Sequence, residues 1–261
     1  MAALVLPVAP AQADDRIPSR LWQAYASAIA DSVVSRPGEV VNDLVVTSPQ
    51  DPRTQWTTID GEPHMLVARL GFRAISSVAD GEPFTTTSHV FTFVPQELNE
   101  RCAELNCAQM SDRKLDLTLK QLIGLPPDAD YTVLSRVWVK PADLFRPCTQ
   151  VDPLIPTCPQ QVANTIHAGL DRSTFLFEQA MYAWRLQRTG TPAPISCAKD
   201  FTNTARGNCL GFPWTRLGYT YNWAPGASSE RGLTEFVIAP GSQVVLESTG
   251  AVRDLIDVTA S

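Results

Sequence analysis

This sequence of 261 residues contains little charge and no basic run. Asp, Glu, Lys and Arg together make up 18% of it, whereas about 25% is typical of soluble domains. Its net charge is −6 and its isoelectric point is about 5.1. Proteins that bind nucleic acids cluster Lys and Arg to replace the counterions of the phosphates. We therefore expect no sequence-specific binding of nucleic acid, and the sequence identifies no other partner.

Familiar catalytic motifs are also missing. The chain has no G-x-S-x-G, H-E-x-x-H, Walker A, dinucleotide-binding glycine or EF-hand pattern. His64, His89 and His167 are the only histidines. His64 stands beside a proline and His89 lies within a predicted strand, and both settings favour a structural or exposed histidine over a catalytic one. We predict no cofactor and no metal site.

No apolar run reaches the length of about 20 residues that spans a bilayer. Residues 2–13 are uncharged and mostly apolar, and they end in Ala11-Gln12-Ala13, the pattern that signal peptidases accept. A basic segment before them is missing. We predict a residual signal peptide over residues 1–13 and a secreted or periplasmic location. The alternative is the frayed apolar N-terminus of a cytosolic protein.

Six cysteines form three local pairs: Cys102 with Cys107, Cys148 with Cys158, and Cys197 with Cys209. An even number of cysteines in an exported protein is typical of disulfides. Zinc is the alternative, but structural zinc sites use two C-x₂₋₄-C knuckles. The gaps here are four, nine and eleven residues. We therefore favour disulfides, and pairing within each local cluster is the simplest of the fifteen connectivities.

The hydrophobic pattern predicts an α+β fold with a mixed, mainly antiparallel sheet, flanking helices and disulfide-stapled loops. A single domain over residues 14–261 is expected, with residue 110 as an alternative boundary. Helices are predicted at 14–34, from Pro95, at 112–123 and at 174–188. Strands are predicted at 39–47, 131–139, 218–223, 233–238 and 243–247. Three further strands are predicted within 54–94, with hairpin turns at Asp60-Gly61 and Asp80-Gly81.

Three long and unusual strings occur in the chain: LIGLPP at 122–127, DLFRPC at 143–148 and PWTRLGYTY at 213–221. In these strings the sequence resembles a family of exported bacterial proteins that carries no established activity. The resemblance covers the chain from about residue 55 onward. It implies secretion and a Cys148–Cys158 bridge, whereas the segment between Phe175 and Gly211 is peculiar to this chain.

The third string contains several aromatic residues beside an arginine. Strand alternation places Tyr219, Tyr221 and Trp223 on one face. Next to Arg216, such rings form a surface on which a planar or sugar-like ligand stacks. The alternative is that the rings fill the core of the last sheet, which is the commoner use of aromatic residues.

Glu235 in the strand that follows suggests a second interpretation. ADP-ribosyltransferase-like enzymes hold the nicotinamide ribose with a glutamate on a strand, together with an arginine on an earlier strand and an aromatic platform. Arg136, Tyr219 and Glu235 occur in a compatible chain order. Many such enzymes carry an acidic or amide residue two positions before the glutamate, but Leu233 stands there. We take Glu235 and Arg136 as the candidate catalytic residues.

Three functions remain open on this evidence. The first is an exported, toxin-like enzyme acting on a nucleotide-type substrate, either an ADP-ribosyltransferase-like enzyme or a glycohydrolase. Its substrate would be bound by the following residues: Arg136, Arg216, Tyr219, Tyr221 and Trp223. The second is a non-catalytic secreted or envelope-associated binding protein that uses the aromatic surface. The third, a small nuclease using His89 and His167, is disfavoured by the acidic isoelectric point.

Overall fold

The computed structural model describes residues 17–160, 173–184 and 211–256 of the chain. The predictions of a signal peptide over residues 1–13 and of a Cys197–Cys209 disulfide fall outside these ranges, as does His167. Within the described ranges, no helix is both long and apolar enough to cross a membrane.

The described residues form five α-helices and nine β-strands. The helices are α1 (Ser19–Ser32), α2 (Pro95–Glu104), α3 (Asp112–Leu122), α4 (Ser173–Trp184) and α5 (Val252–Leu255). The strands are β1 (Trp56–Ile59), β2 (Glu62–Gly71), β3 (Pro83–Thr85), β4 (Val90–Phe93), β5 (Val133–Val139), β6 (Leu144–Phe145), β7 (Tyr219–Tyr221), β8 (Arg231–Ile238) and β9 (Gln243–Ala251).

All nine strands belong to one sheet. Its order is β3-β9-β5-β2-β4-β8-β6, with β1 added to β2 and β7 added to β8. Every pairing between these strands is antiparallel. The predicted fold class, an α+β fold with a mainly antiparallel sheet, is confirmed.

Two apolar clusters contain most of the buried sheet residues. The first packs sheet residues against α2, α3 and the Cys102–Cys107 disulfide, and its main members are Ala68, Leu70, Phe93, Leu98, Leu115, Leu119, Leu134 and Leu233. The second includes the alternate residues of the same strands, chiefly Met65, Val67, Val137, Phe236, Ile238 and Leu246. This division follows from strand geometry, because successive side chains point to opposite faces of a sheet.

Several local predictions are confirmed. The leucines of α3 recur at helical spacing, and Gly124 follows the helix with a φ of +74°, as expected at a helix C-terminus. Asp60 and Gly61 join β1 to β2, and both have a positive φ. A turn with two such residues matches the twist of the adjoining strands. The strand expected at 131–139 is β5.

The strand predicted at 39–47 is wrong. Residues 37–39 form one 3-10 turn and residues 40–47 join no strand of the sheet. The main-chain N–H groups of Leu44 and Thr47 donate to the carbonyls of Pro156 and Pro153 instead. Leu44 and Val45 are buried. The apolar pattern of this segment therefore reflects the burial of its side chains and not a strand of the sheet.

The hairpin predicted at Asp80-Gly81 is also wrong. A turn does form there, but β3 pairs with β9 and not with the strand that precedes the turn. The Gly81 N–H donates to the Leu246 carbonyl, and the Leu246 N–H donates to the Glu82 carbonyl. An aspartate-glycine pair thus fixes the local turn and leaves the choice of partner strand to the rest of the fold.

Two of the three proposed disulfides lie in the described residues, and both form. Cys102 is bonded to Cys107, at the end of α2, and Cys148 is bonded to Cys158. All four cysteines are buried. The zinc alternative is therefore wrong for these two pairs.

Candidate ligand-binding cavity

An opening in the sheet lies between β2 and β4. β2 pairs with β5 from Met65 to Gly71, but its only registered pair with β4 is Ala68 with Phe93. A cavity of about 650 Å³ lies here, lined on one side by residues 69–76 except Gly71 and on the other by residues 84–93. Cavities of roughly 300–1,000 Å³ are typical of small-molecule sites.

Aromatic residues from distant parts of the chain form much of the wall. They are Phe72, Phe84, Phe91, Phe93, Tyr131, Phe212, Trp214, Tyr219 and Tyr221. Residues 123–125, which follow α3, and Gln179 of α4 also line the cavity. The segment before β4 is held in place at Thr86, whose Oγ1 donates to the Ala239 carbonyl and whose N–H donates to the Ser242 carbonyl.

Glu235 supplies the one carboxyl group of the lining. β8 places it directly opposite Phe93 of β4, and its main-chain N–H donates to the Gly218 carbonyl over 2.9 Å. Burial alone raises the pKa of the Glu235 carboxyl to about 8, since no nearby charge or hydrogen bond contributes. The group is therefore mostly protonated at neutral pH, and among the described residues its carboxyl has no hydrogen-bond or ion-pair partner.

Two arginines lie elsewhere in the lining. Arg69 is the third residue from the end of β2, and Arg73 follows the strand. The Nη1 atom of Arg69 donates to the Arg73 carbonyl over 3.3 Å, and the Arg73 guanidinium lies 5.1 Å from the centre of the Phe72 ring. Glu235 is two strand spacings, about 10 Å, from Ala68 across Phe93, and Arg69 follows Ala68 on the opposite face of β2, so the cationic and carboxylic groups of the cavity are separated.

His89 lies in the cavity wall beside an aromatic group. Its ring centre is 4.3 Å from that of Phe175 and 5.9 Å from that of Phe145. These ring contacts agree with the structural role that the sequence favours for His89. Its position in the lining nevertheless puts it in reach of a bound molecule.

Of the residues predicted to bind substrate, Tyr219 and Tyr221 do line the cavity with Glu235. The Tyr219 hydroxyl donates to the Glu39 carbonyl over 2.9 Å, and the Tyr221 hydroxyl donates to the Asp31 carboxylate over 3.0 Å. Burial is the main cause that raises the pKa of both phenols. With their hydroxyls engaged, the two tyrosines offer the cavity apolar ring surface.

Trp223 and Arg216 lie outside the lining. The Trp223 ring packs edge-on against Tyr25 at 5.5 Å, and its Nε1 donates to the Leu125 carbonyl. The Arg216 Nη2 donates to the Val33 carbonyl over 2.6 Å, and burial lowers the Arg216 pKa to about 10. A register shift between Tyr219 and Tyr221 interrupts the alternation that predicted a common aromatic face. Trp223 and Arg216 therefore do not join Tyr219 and Tyr221 at the cavity. Tyr219 packs in one core cluster, and Tyr221 and Trp223 pack together in another.

Arg136 does not meet Glu235. The two residues lie in one cross-strand row, Glu235–Phe93–Ala68–Arg136, so three strand spacings, about 14 Å, separate their backbones. The guanidinium of Arg136 binds the carboxylate of Glu247 on β9, with Nε to Oε2 at 2.7 Å. The catalytic role predicted for Arg136 thus has no support in its placement.

Sequence reasoning missed Arg69, Arg73 and most of the aromatic wall. No local signal marks them, because their common feature is the early separation of β2 from β4, which depends on contacts between remote segments. Comparison with protein-family models, with curated proteins and with solved structures gave no match to this chain. The resemblance to exported bacterial proteins stays a prediction.

Proposed function

We propose that this protein binds a small ring-bearing organic molecule in the cavity between β2 and β4, with Glu235 as its central polar contact. The observation that carries the proposal is the unpartnered carboxyl of Glu235 in the cavity lining. A buried polar group without a partner costs roughly 1–3 kcal/mol. A ligand that accepts a hydrogen bond from this carboxyl, or donates one to it, removes that cost.

The walls support a planar or sugar-like ring as the core of the ligand. Nine aromatic side chains line the cavity, and such rings bind flat or apolar faces by stacking and edge contacts. The hydroxyl-bearing residues 85–88 border the same space and add hydrogen-bonding capacity at its edge. Polar side chains set among apolar and aromatic walls are typical of small-molecule sites, where they fix the orientation of the ligand.

A catalytic role for Glu235 is the second candidate. A carboxyl that keeps its proton at neutral pH can donate it to a leaving group, as general acids in apolar sites do. This favours a glycohydrolase acting on a nucleotide-type substrate over an ADP-ribosyltransferase-like enzyme, since Arg136 lies outside the cavity. The test is hydrolysis of NAD by the purified protein, followed by chromatography, and we expect at least a hundredfold loss in E235Q. NAD left intact by the wild-type protein would remove the enzyme and leave the binding protein.

The proposed place of action is outside the cytoplasm, either secreted or periplasmic. Two disulfides close within the described residues, and disulfides persist in oxidising compartments and are rare in the cytosol. The sequence pattern over residues 1–13 supports the same location.

The binding proposal is tested with uncharged ring compounds: nucleosides, neutral sugars and aromatic amides. Ligand-detected NMR with the purified wild-type chain identifies those that bind, and calorimetry gives their affinities. We expect Glu235→Met, which keeps the length of the side chain but removes its hydrogen bonds, to weaken the best compound about tenfold, the value of one hydrogen bond.

Glu62→Met is the matched control. Glu62 is an exposed glutamate on β2 that does not line the cavity, so this variant should bind as the wild-type protein does. Circular dichroism confirms that both variants are folded. Equal affinities in the wild-type protein and in Glu235→Met, or no binding of any ring compound, would contradict the proposal.

A further inference from the structure

We propose that Arg69 and Arg73 form an anion subsite of the cavity and that the ligand carries a phosphate group there. This inference rests on the proposed binding of a small molecule and adds the chemical class of that molecule. It is a phosphorylated, ring-bearing compound, held by its phosphate at the arginines and by its ring among the aromatic walls.

The two arginines are close neighbours at the end of β2. The Arg69 Nη1 donates to the Arg73 carbonyl, and the positive charge of Arg73 adds to the effect of burial in lowering the Arg69 pKa. Arg69 is half-buried and Arg73 is exposed, and their like charges repel each other. An anion between them relieves this repulsion.

No carboxylate of the described residues neutralises this pair. The ion pairs formed within the described part of the chain use other cations, namely Arg36, Arg53, Arg101, Lys120, Arg136, Arg231 and Arg253. In a chain of net charge −6, two adjacent arginines without an acidic partner stand out at the wall of a cavity.

The chemistry of the pair suits phosphate better than a single carboxylate. Each guanidinium presents five donors in a planar fork, and two such forks that turn toward one phosphate can satisfy its several oxygens. Phe72 and Tyr131 lie next to the arginines with their ring centres 6.1 Å apart. Phe72 is 54% exposed, an unusual position for a phenylalanine and one where the ring of a bound ligand would cover it.

The separation of this subsite from Glu235 sets the order of groups in the ligand. Glu235 lies two strand spacings, about 10 Å, from Ala68 in the row Glu235–Phe93–Ala68, and Arg69 follows Ala68 on the opposite face of β2. The phosphate and the polar group that meets Glu235 must therefore stand at different ends of the molecule. A nucleotide-type compound has this arrangement, with a phosphate at one end and a polar base at the other.

The test uses inorganic phosphate as the probe and the full chain at pH 7. Calorimetry should show saturable binding that weakens with added salt, because salt screens exposed charges. We expect the double variant R69Q/R73Q to bind phosphate at least tenfold more weakly. The matched control is R113Q, which removes the same kind of charge from an exposed position on α3 outside the cavity. It should leave phosphate affinity unchanged.

A second measurement uses the wild-type protein, so its result does not depend on whether the double variant folds. Phenylglyoxal modifies accessible arginines, and peptide mass spectrometry reports each position. Phosphate should slow the modification of Arg69 and Arg73 by several-fold and leave Arg113 unaffected, and acetate at equal ionic strength should protect none of them.

Each result bears on the inference. Protection confined to Arg69 and Arg73 by phosphate, with weaker binding by R69Q/R73Q, supports it. No saturable binding, equal affinity in the double variant, or equal protection by acetate overturns it. The uncharged ring compounds used for Glu235 report separately on the proposed function, so a failure of the phosphate subsite can be told apart from a failure of the binding site.

Discussion

Gly218 shows at the scale of one residue how the site depends on close packing. Its carbonyl accepts the N–H of Glu235 over 2.9 Å, and its φ of +77° lies in the left-handed region that favours glycine. A Cβ atom at this position would lie 2.8 Å from Arg146 Cδ and 2.8 Å from Cys158 Sγ. Backbone conformation and packing therefore both require glycine beside the strand that carries the candidate site.

We expect Gly218→Ala to destabilise the protein by about 2–5 kcal/mol, combining left-handed strain with overpacking. Gly226→Ala is the matched control. Gly226 has a φ of +82° but nothing within 4 Å of a Cβ, so about 1–2 kcal/mol of strain is expected there. Urea unfolding of both variants measures the difference, and equal losses would show that the packing around Gly218 does not matter.

The same scale explains which site residues could be predicted. Glu235 was recognisable as an acidic residue within an apolar strand, and the structure does place it in a cavity. Arg136 was predicted as a site residue in the same way, but its side chain pairs with Glu247 instead. Glu247 is 111 residues away in the chain, and no local pattern reveals that pair. Whether a strand residue faces a cavity or a counterion is decided by tertiary contacts.

At the scale of elements, the sequence was most informative where the pattern is local. The leucines of α3 with Gly124, the aspartate-glycine turn between β1 and β2, and the Cys148–Cys158 loop each depend on residues close in sequence, and all are observed. The segment 39–47 failed for the opposite reason. Leu44 and Val45 are buried in two different core clusters while their segment pairs with no strand, and periodicity cannot distinguish this from burial in a sheet.

The cavity itself arises from an irregularity that patterns do not encode. β2 continues along β5 for seven registered pairs but leaves β4 after one. The alternation of apolar and polar residues along a strand is the same whether the neighbouring strand stays paired with it or separates from it. Arg69, Arg73 and the segment 84–93 become a site only through this separation.

For the whole molecule, the opened sheet keeps the carboxyl of Glu235 buried, with no partner for it among the described residues, and this is the central claim behind the proposed ligand. Such a site lowers the stability of the ligand-free protein, and the loss depends on pH. The carboxyl has a pKa of about 8 in the folded protein against 4.5 for an ordinary glutamate. Between these values the folded protein binds more protons, so its stability falls as the pH rises.

The most direct test is the free energy of unfolding of the wild-type protein and of E235Q, measured by urea denaturation from pH 4 to pH 9. Each unit of pKa difference is worth about 1.4 kcal/mol. The wild-type protein should therefore lose up to about 5 kcal/mol relative to E235Q across this range, mostly between pH 4.5 and 8. E62Q, altered at an exposed glutamate, should follow the wild-type curve. Parallel curves for the wild-type protein and E235Q would mean that this carboxyl is solvated or already paired, and would contradict the central claim.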